Sequence, residues 1–350
     1  MHAASSDVQG GGEASVAGLL HAVDVLEMGG LVAFPSETVY GLGADAENPE
    51  AVARIYAAKG RPASHPVIVH VAPQADLSYW AARVPAQARA LVQAFWPGPL
   101  TIVLKRAPGI PDCVSGGQDS IALRCPSHPV AQELLRAFAA RRASGQAGVA
   151  GPSANKFGQV SPTLAAHVRN EFPELVAAGM PVIEGGASEV GIESTIIDLS
   201  RVEQGVGPVL LRPGHITAEQ ISEVLGVPVQ GADAHAPRVS GALQSHYAPH
   251  TPLRLGGLAT LRDMAARPQL ADGQRIAIVS HTLPRPDFKV HPQVDWVAAP
   301  SDAVAYGRTL YASLRALDRM GYASMLWEHV PDTSKWLGVR DRLTRAAAAF

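Results

Sequence analysis

Residues 34–43 read FPSETVYGLG and residues 57–71 read AAKGRPASHPVIVHV. Between and around these quotations lies the pattern that sets the fold class. LVAF (31–34) is a short apolar run and reads as a buried strand. NPEAVARIYAAKG (48–60) reads as a helix, with Asn48 as N-cap, Pro49 at the first position and Gly60 as the stop. PVIVHVA (66–72) is again strand-like. A strand, a helix and a strand in about forty residues point to an α/β sheet covered by helices.

Working outward, VAGLLHAVDVLEM (16–28) puts Val16, Leu19, Leu20, Val23 and Leu26 on one helical stripe, and Gly29-Gly30 ends it. Downstream, LTIVLK (100–105) and SIALRC (120–125) read as strands, with a helix PAQARALVQAF before them. PVAQELLRAFAARR and TLAAHVRNEF read as further helices. AGVAGPSANKFG resembles a strand running into a loop. MPVIEGG, ESTIIDLS and GPVLLRP are three more strand candidates, close enough in sequence that the sheet is expected to be mixed. TAEQISEVLG opens with Thr217 and Gln220 at capping-box spacing.

The composition changes at 229–252, VQGADAHAPRVSGALQSHYAPHTP, which is rich in Gly, Ala, Pro and His and reads as an interdomain linker. Beyond it, QRIAIVSH, a helix starting at Ser301/Asp302, ASMLWEHVP and a helix from SKWLGVRDR form a small β-α-β-α unit. The expected division is a catalytic domain over 13–228, a linker over 229–252 and a small α/β domain over 253–350. The 350-residue length suits two domains.

With 47% hydrophobic and 17% charged residues the chain is a packed globular protein, and its net charge of −2 gives no overall attraction to nucleic acid. Cys113 and Cys125 lack partners at metal-ligand spacing and fit a reducing compartment. The N-terminus carries no basic segment followed by an apolar one and is read as a flexible tail. No stretch approaches the roughly 18 apolar residues of a membrane span. A cytoplasmic protein is expected.

The familiar phosphate loops are absent: there is no GxxxxGK[ST], and GLGADA lacks the third glycine of a dinucleotide fingerprint. HExxH and paired CxxC are missing too. KGRP (59–62) offers another way to hold phosphate, since Arg61 supplies a planar fork and Lys59 a point charge. The same cations also suit a solvated helix C-terminus, and spacing alone leaves both readings open. His70 sits within the apolar VIVHV, where it is either a core residue or a ligand contact. Arg124 inside SIALRC must reach a partner, whether a substrate carboxylate or a salt bridge. Ser153 and Asn155 of GPSANKFG, Ser194 of IESTIID, Ser120 and Arg212 of LLRPG add hydroxyls, an amide and a further cation at element edges. In open α/β sheets such edges converge on one rim where ligands bind. A rim rich in Arg, Lys and hydroxyl groups suits an anionic, phosphorylated ligand.

Taken in order, FPSETVYGLG, KGRP…HPVIVHV, SIALRCPSHP, GPSAN, ESTIID and LLRPG resemble the YrdC-like domain of threonylcarbamoyl-AMP synthases. HYAPHTP and the C-terminal unit resemble the long, two-domain form of that family, so the resemblance covers roughly residues 13 to 345. It implies a twisted, open mixed sheet with a concave positive cavity, joined by a linker to a smaller Rossmann-like domain. It implies a nucleotidyltransferase that makes threonylcarbamoyl-adenylate and pyrophosphate from L-threonine, bicarbonate or CO2, and ATP. A tRNA threonylcarbamoyltransferase complex would then modify adenosine 37 of tRNA to N6-threonylcarbamoyladenosine, with weak direct tRNA binding an open question.

By the same resemblance Thr38, His70, Arg124 and Ser194 would contact L-threonine. Lys59, Arg61, His65, Ser120, Ser153, Asn155, Arg212 and linker Tyr247 would form the ATP site, with Lys59 and Arg61 the catalytic cations. Mg2+ would be held mainly by ATP phosphates, and no protein metal ligands are expected. His65 stands where the family has Asn, and GVRDRLTRAA has Arg-Asp where it often has Asn-Asp or Asn-Arg. Three rival readings share some of these features: a double-stranded-RNA or tRNA-binding module using the basic face without catalysis, a carbamoyltransferase-type enzyme, and a regulatory nucleotide sensor whose catalysis has decayed.

Overall fold

The structure is a computed structural model that describes residues 15–241 and 243–350. The predicted tail before Ser15 lies outside the described residues. Nine strands form the larger sheet: β1 (Val32–Phe34), β2 (Gly41–Asp45), β3 (Ile68–Val71), β4 (Leu100–Lys105), β5 (Ser120–Arg124), β6 (Gly148–Ala150), β7 (Thr195–Asp198), β8 (Val209–Arg212) and β9 (Gln230–Gly231). Their order across the sheet is β1-β2-β6-β3-β5-β4-β7-β8-β9. The β3–β5, β4–β7 and β8–β9 pairs are parallel and the others antiparallel, so the sheet is mixed.

Four more strands, β10 (Leu253–Gly256), β11 (Ile276–Ser280), β12 (Val294–Ala298) and β13 (Ser324–Glu328), make a second sheet in the order β10-β13-β11-β12. All of its pairings are parallel. Parallel strands need crossovers: the helix Leu258–Ala266 links β10 to β11, the helix Ala303–Asp318 links β12 to β13, and residues 281–293 join β11 to β12 without a helix. The unit is therefore larger than the β-α-β-α expected: β10, β12 and the helix Leu258–Ala266 carried too little periodicity to be seen.

The local signals explain most elements. Asn48 Oδ1 accepts from the Glu50 and Ala51 amides, Pro49 follows, and Gly60 closes the helix at φ 64°. Only glycine adopts that left-handed conformation without strain. Thr217 and Gln220 form both halves of a capping box. The first helix, Val16–Glu27, buries Leu19, Val23 and Leu26, each contributing roughly 1.5–3 kcal/mol. Val16 and Leu20, predicted on the same stripe, are exposed instead, and Ala22 takes the inner face.

Three sequence expectations change. MPVIEGG forms only one isolated bridge, Ala33 to Val182, and no strand. GLGAD, passed over because of its glycines, is strand β2. Those glycines face bulky neighbours: a Cβ on Gly41 would stand 2.7 Å from the Phe34 ring. The stretch expected to be linker begins as a sheet edge, with Gln230–Gly231 pairing along β8.

Candidate functional site

The register of the large sheet brings the singled-out residues together. His70 and Arg124 are direct partners across the parallel β3–β5 pair. Ser153 bridges to Gly41 at the end of β2. Arg212 ends β8 beside Ile196 of β7, and Ser194 precedes β7. Between them lies a narrow cleft, lined by Ser36, Thr38, His70, Arg124, Ser153 and Ser194 among others.

At one end of the cleft the loop after β1 is wound on itself. Ser36 Oγ donates to the Val39 carbonyl at 2.6 Å and lies 2.9 Å from Thr38 Oγ1. Arg124 Nη1 donates to Thr38 Oγ1 at 2.8 Å, and its Nη2 stands 2.6 Å from Glu37 Oε1. Both partners of that ion pair are buried, with side chains 4% and 5% exposed. Arg124 thus has a protein partner for part of its fork, and Glu37 is a residue sequence reasoning passed over. His70 packs edge-on against Phe34 at 5.5 Å. Burial, then the nearby Arg124 charge, push its pKa down to about 3, so the ring is neutral at physiological pH.

At the other end Arg212 lines the cleft, with the cations Lys59 and Arg61 behind its wall. Lys59 closes its helix with Nζ donating to the backbone carbonyls of Ser153, at 2.5 Å, and Asn155. The lysine of KGRP thereby shapes the GPSAN loop. Burial and then the charge of Arg61 hold the Lys59 pKa well below its usual value. Arg61 Nη2 donates to the Pro66 carbonyl at 2.6 Å, and its guanidinium faces the Phe157 ring. Arg212 binds the Ser194 carbonyl through Nε at 3.0 Å and Ser194 Oγ through Nη2 at 3.1 Å. Ser194 Oγ is also 2.7 Å from Thr101 Oγ1.

Five predicted residues do not line the cleft: Lys59, Arg61 and Asn155 lie behind its wall, bonded to it or to one another, and Ser120 and His65 stand further apart. Ser120 opens onto a neighbouring crevice with Gln118, Ile68 and Val239 rather than onto the main cleft. His65 lies half-buried at the rim, edge-on to Phe157 at 5.3 Å, and burial followed by the Arg61 and Arg238 charges lowers its pKa.

The segment between the sheets crosses the cleft. Ser240, His246 and Tyr247 all line it. Arg61 Nη1 reaches Ser240 Oγ at 3.4 Å and Arg212 Nη1 donates to the Ser240 carbonyl at 2.9 Å. Tyr247 is buried and is a non-glycine residue with positive φ, at 61°. Gly241 makes that crossing feasible: a Cβ there would fall 2.2 Å from the Tyr247 hydroxyl oxygen.

Glu193 was also missed, though it stands next to Ser194 in a stretch quoted for its hydroxyls. It is a carboxylate in an apolar run, and such a group needs partners. Burial pushes its pKa up, but the charges of Arg342 and Arg212 and hydrogen bonds from Ser161 and Arg342 prevail, leaving it at about 2. The cleft therefore presents hydroxyls, a neutral imidazole and guanidinium groups, while its carboxylates Glu37 and Glu193 are tied in ion pairs. Among the described residues no three His, Cys, Asp or Glu side chains gather in a metal-holding group. Nor is any described helix long and apolar enough to cross a membrane.

A family model described as Telomere recombination, covering Sua5, YciO and YrdC proteins, matches residues 24–214. A second, described as Threonylcarbamoyl-AMP synthase, C-terminal domain, matches residues 216–348. The chain is 34% identical to a threonylcarbamoyl-AMP synthase of Pyrococcus abyssi, across 93% of each chain. It is 36% identical to one of Bacillus subtilis, across 94% of this chain and 92% of that one. Among solved structures it resembles Pyrococcus abyssi Sua5 complexed with L-threonine, with a TM-score of 0.77, 33% identity and 94% coverage of both chains.

Proposed function

The chain belongs to the threonylcarbamoyl-AMP synthase family, and from that premise we propose that it joins L-threonine, bicarbonate or CO2 and ATP into threonylcarbamoyl-adenylate and pyrophosphate. One observation carries the reading: a single cleft has a Thr38–Arg124–His70 end and an Arg212 end joined by Ser153 and Ser194, with Lys59 and Arg61 behind the second end, bonded to its Ser153 and Ser240. The first end suits a small polar zwitterion and the second a polyphosphate.

In this reading the substrates supply the nucleophile. The threonine amine attacks CO2 and gives up a proton, or attacks bicarbonate with loss of water, and the resulting carboxylate attacks the α-phosphorus of ATP as the bond to the bridging oxygen breaks and pyrophosphate leaves. The protein's part is alignment, which contributes about 7–11 kcal/mol in well-oriented systems, and charge stabilisation at phosphorus. Neutral His70 orients threonine by hydrogen bonding rather than charge. Thr38 and Arg124, held by Glu37, offer a fixed hydroxyl and a guanidinium edge to the amino acid. Lys59, Arg61 and Arg212 answer the phosphate charge, and Ser153 and Asn155 shape the loop beneath it. Tyr247 and its neighbours keep water from the carbamate.

The lining has cations and hydroxyls and no free carboxylate cluster, which fits a Mg2+ ion carried by the phosphates and water. That ion would supply further neutralisation of phosphate charge. The proposal extends to a cytoplasmic setting and to transfer of the threonylcarbamoyl group to adenosine 37 of tRNA by a separate transferase complex.

Incubation with ATP, L-threonine and bicarbonate, with pyrophosphate as the readout, tests the assignment. Release should vanish when threonine is omitted. Equal release with serine or valine would sink the substrate assignment.

A further inference from the structure

The last helix, Leu337–Ala347, belongs to the small domain yet packs against Glu193 and Tyr247, which line the cleft. Arg342 on it is fully buried. Its Nε donates to Glu193 Oε2 at 2.8 Å and its Nη2 to the Glu193 carbonyl at 3.3 Å, the peptide that leads into Ser194. Its Nη1 donates to the Pro213 carbonyl at 2.7 Å, directly after Arg212, and to Asp341 at 2.9 Å. Its guanidinium carbon lies 5.4 Å from the centre of the Tyr247 ring. Tyr311, also from the small domain, donates to Glu193 Oε2 at 2.8 Å and lies against Tyr247 with ring centres 5.7 Å apart.

The same helix holds the linker at two more points. Arg345 donates through Nη1 to the Leu243 carbonyl, and its own carbonyl accepts from the His246 amide at 3.3 Å. These contacts hold the residues leading into Tyr247, the non-glycine residue in the left-handed region. A tyrosine in that conformation is strained by about 1–3 kcal/mol and persists only when its surroundings enforce it. The approach of the two domains is close enough to fix the helix: a Cβ on Gly338 would stand 2.9 Å from the Gly214 carbonyl.

We propose that the last helix is the clamp that holds the linker across the nucleotide end of the cleft, with Arg342 as a positioning residue acting through Tyr247 and Glu193 and Arg345 gripping the segment before it. The small domain thereby contributes to catalysis without touching substrate. A lysine at 342 could still pair with Glu193, but its single ammonium could not span Glu193, Pro213 and the Tyr247 face together. The inference rests on the proposed synthase activity for its kinetic readout.

The test compares Arg342→Lys, Arg345→Ala and the control Arg340→Ala, whose partner Asp332 is exposed. Arg342→Lys should raise KM for ATP about thirtyfold, the scale of a desolvated cation–π contact, while KM for L-threonine stays unchanged. Arg345→Ala should raise it less, and Arg340→Ala should match the wild type. The first two variants should also form AMP without threonylcarbamoyl-adenylate. There a water oxygen bonds to the α-phosphorus, the bond to the bridging oxygen breaks with pyrophosphate leaving, and the water protons pass to solvent. In the absence of substrates, hydrogen exchange at the His246 and Ala248 amides should quicken in both.

Folded variants with wild-type KM for ATP, wild-type coupling and unchanged exchange would overturn the clamp. Equal rises in both KM values alongside a lowered Tm would also overturn it, because that pattern belongs to a merely structural role. Were the wild type itself to release no threonine-dependent pyrophosphate, the functional reading would fail while amide exchange still decided the clamp.

Discussion

Arg124 shows how one side chain is given its task by two others. Glu37 neutralises it and Thr38 fixes its fork, so the end of the cleft proposed to take threonine is organised before any ligand arrives. Replacing Glu37 by Gln leaves a buried guanidinium without its counter-charge, a loss of about 3–5 kcal/mol in stability. Chemical denaturation should register that loss, and KM for L-threonine should rise with it; a variant as stable as the wild type would show the pair to be dispensable. SIALRC alone said that Arg124 needed a partner and left open whether it was substrate or protein. The partner lay 87 residues upstream in a loop read for its threonine, and no local pattern connects the two. Arg342 was hidden for the same reason, since a basic residue in a polar helix reads as surface until the opposing Glu193 is in view.

At the scale of elements, the helix Pro49–Lys59 delivers Lys59 to the GPSAN loop, and its start and stop are fixed by Asn48 and Gly60. Asn48→Ala should cost about 1 kcal/mol through loss of the cap, seen as a lower Tm with little change in KM for ATP. The linker is less tolerant. At Gly241, φ is 78° and the Tyr247 hydroxyl is too close for a Cβ. Gly241→Ala should therefore raise KM for ATP while the catalytic sheet stays folded, and unchanged nucleotide affinity would contradict the crossing. Elements with strong caps or long apolar runs, such as Pro49–Lys59 and β4, were legible in the sequence. The strand GLGAD and the failed strand MPVIEGG were not, because sheet pairing and close packing on Phe34 decided them rather than intrinsic propensity.

Across the whole molecule, two sheets share one buried polar junction, and several histidines are sealed neutral within the fold. Burial above all pushes His70 and His246 down to about 3 and His167 to about 4, from an ordinary 6.5. Between those values the unfolded chain binds more protons than the folded one, so stability falls as pH drops below about 6.5. From there to pH 5 each such histidine costs about 2 kcal/mol. Denaturation midpoints at pH 7.5 and pH 5 should differ accordingly, and equal midpoints would refute the neutral burial. The mixed character of the large sheet and the presence of a second α/β unit were legible from the order of motifs. The extent of that unit and its hold on the linker emerged only from tertiary contacts. The central claim is that one cleft couples threonine, a one-carbon unit and ATP. Mass spectrometry of the product formed from L-threonine, ATP and carbon-13 bicarbonate tests it most directly. Threonylcarbamoyl-adenylate carrying a single carbon-13 in the carbamoyl group is the expected product. An adenylate without the label, or AMP alone, would contradict it.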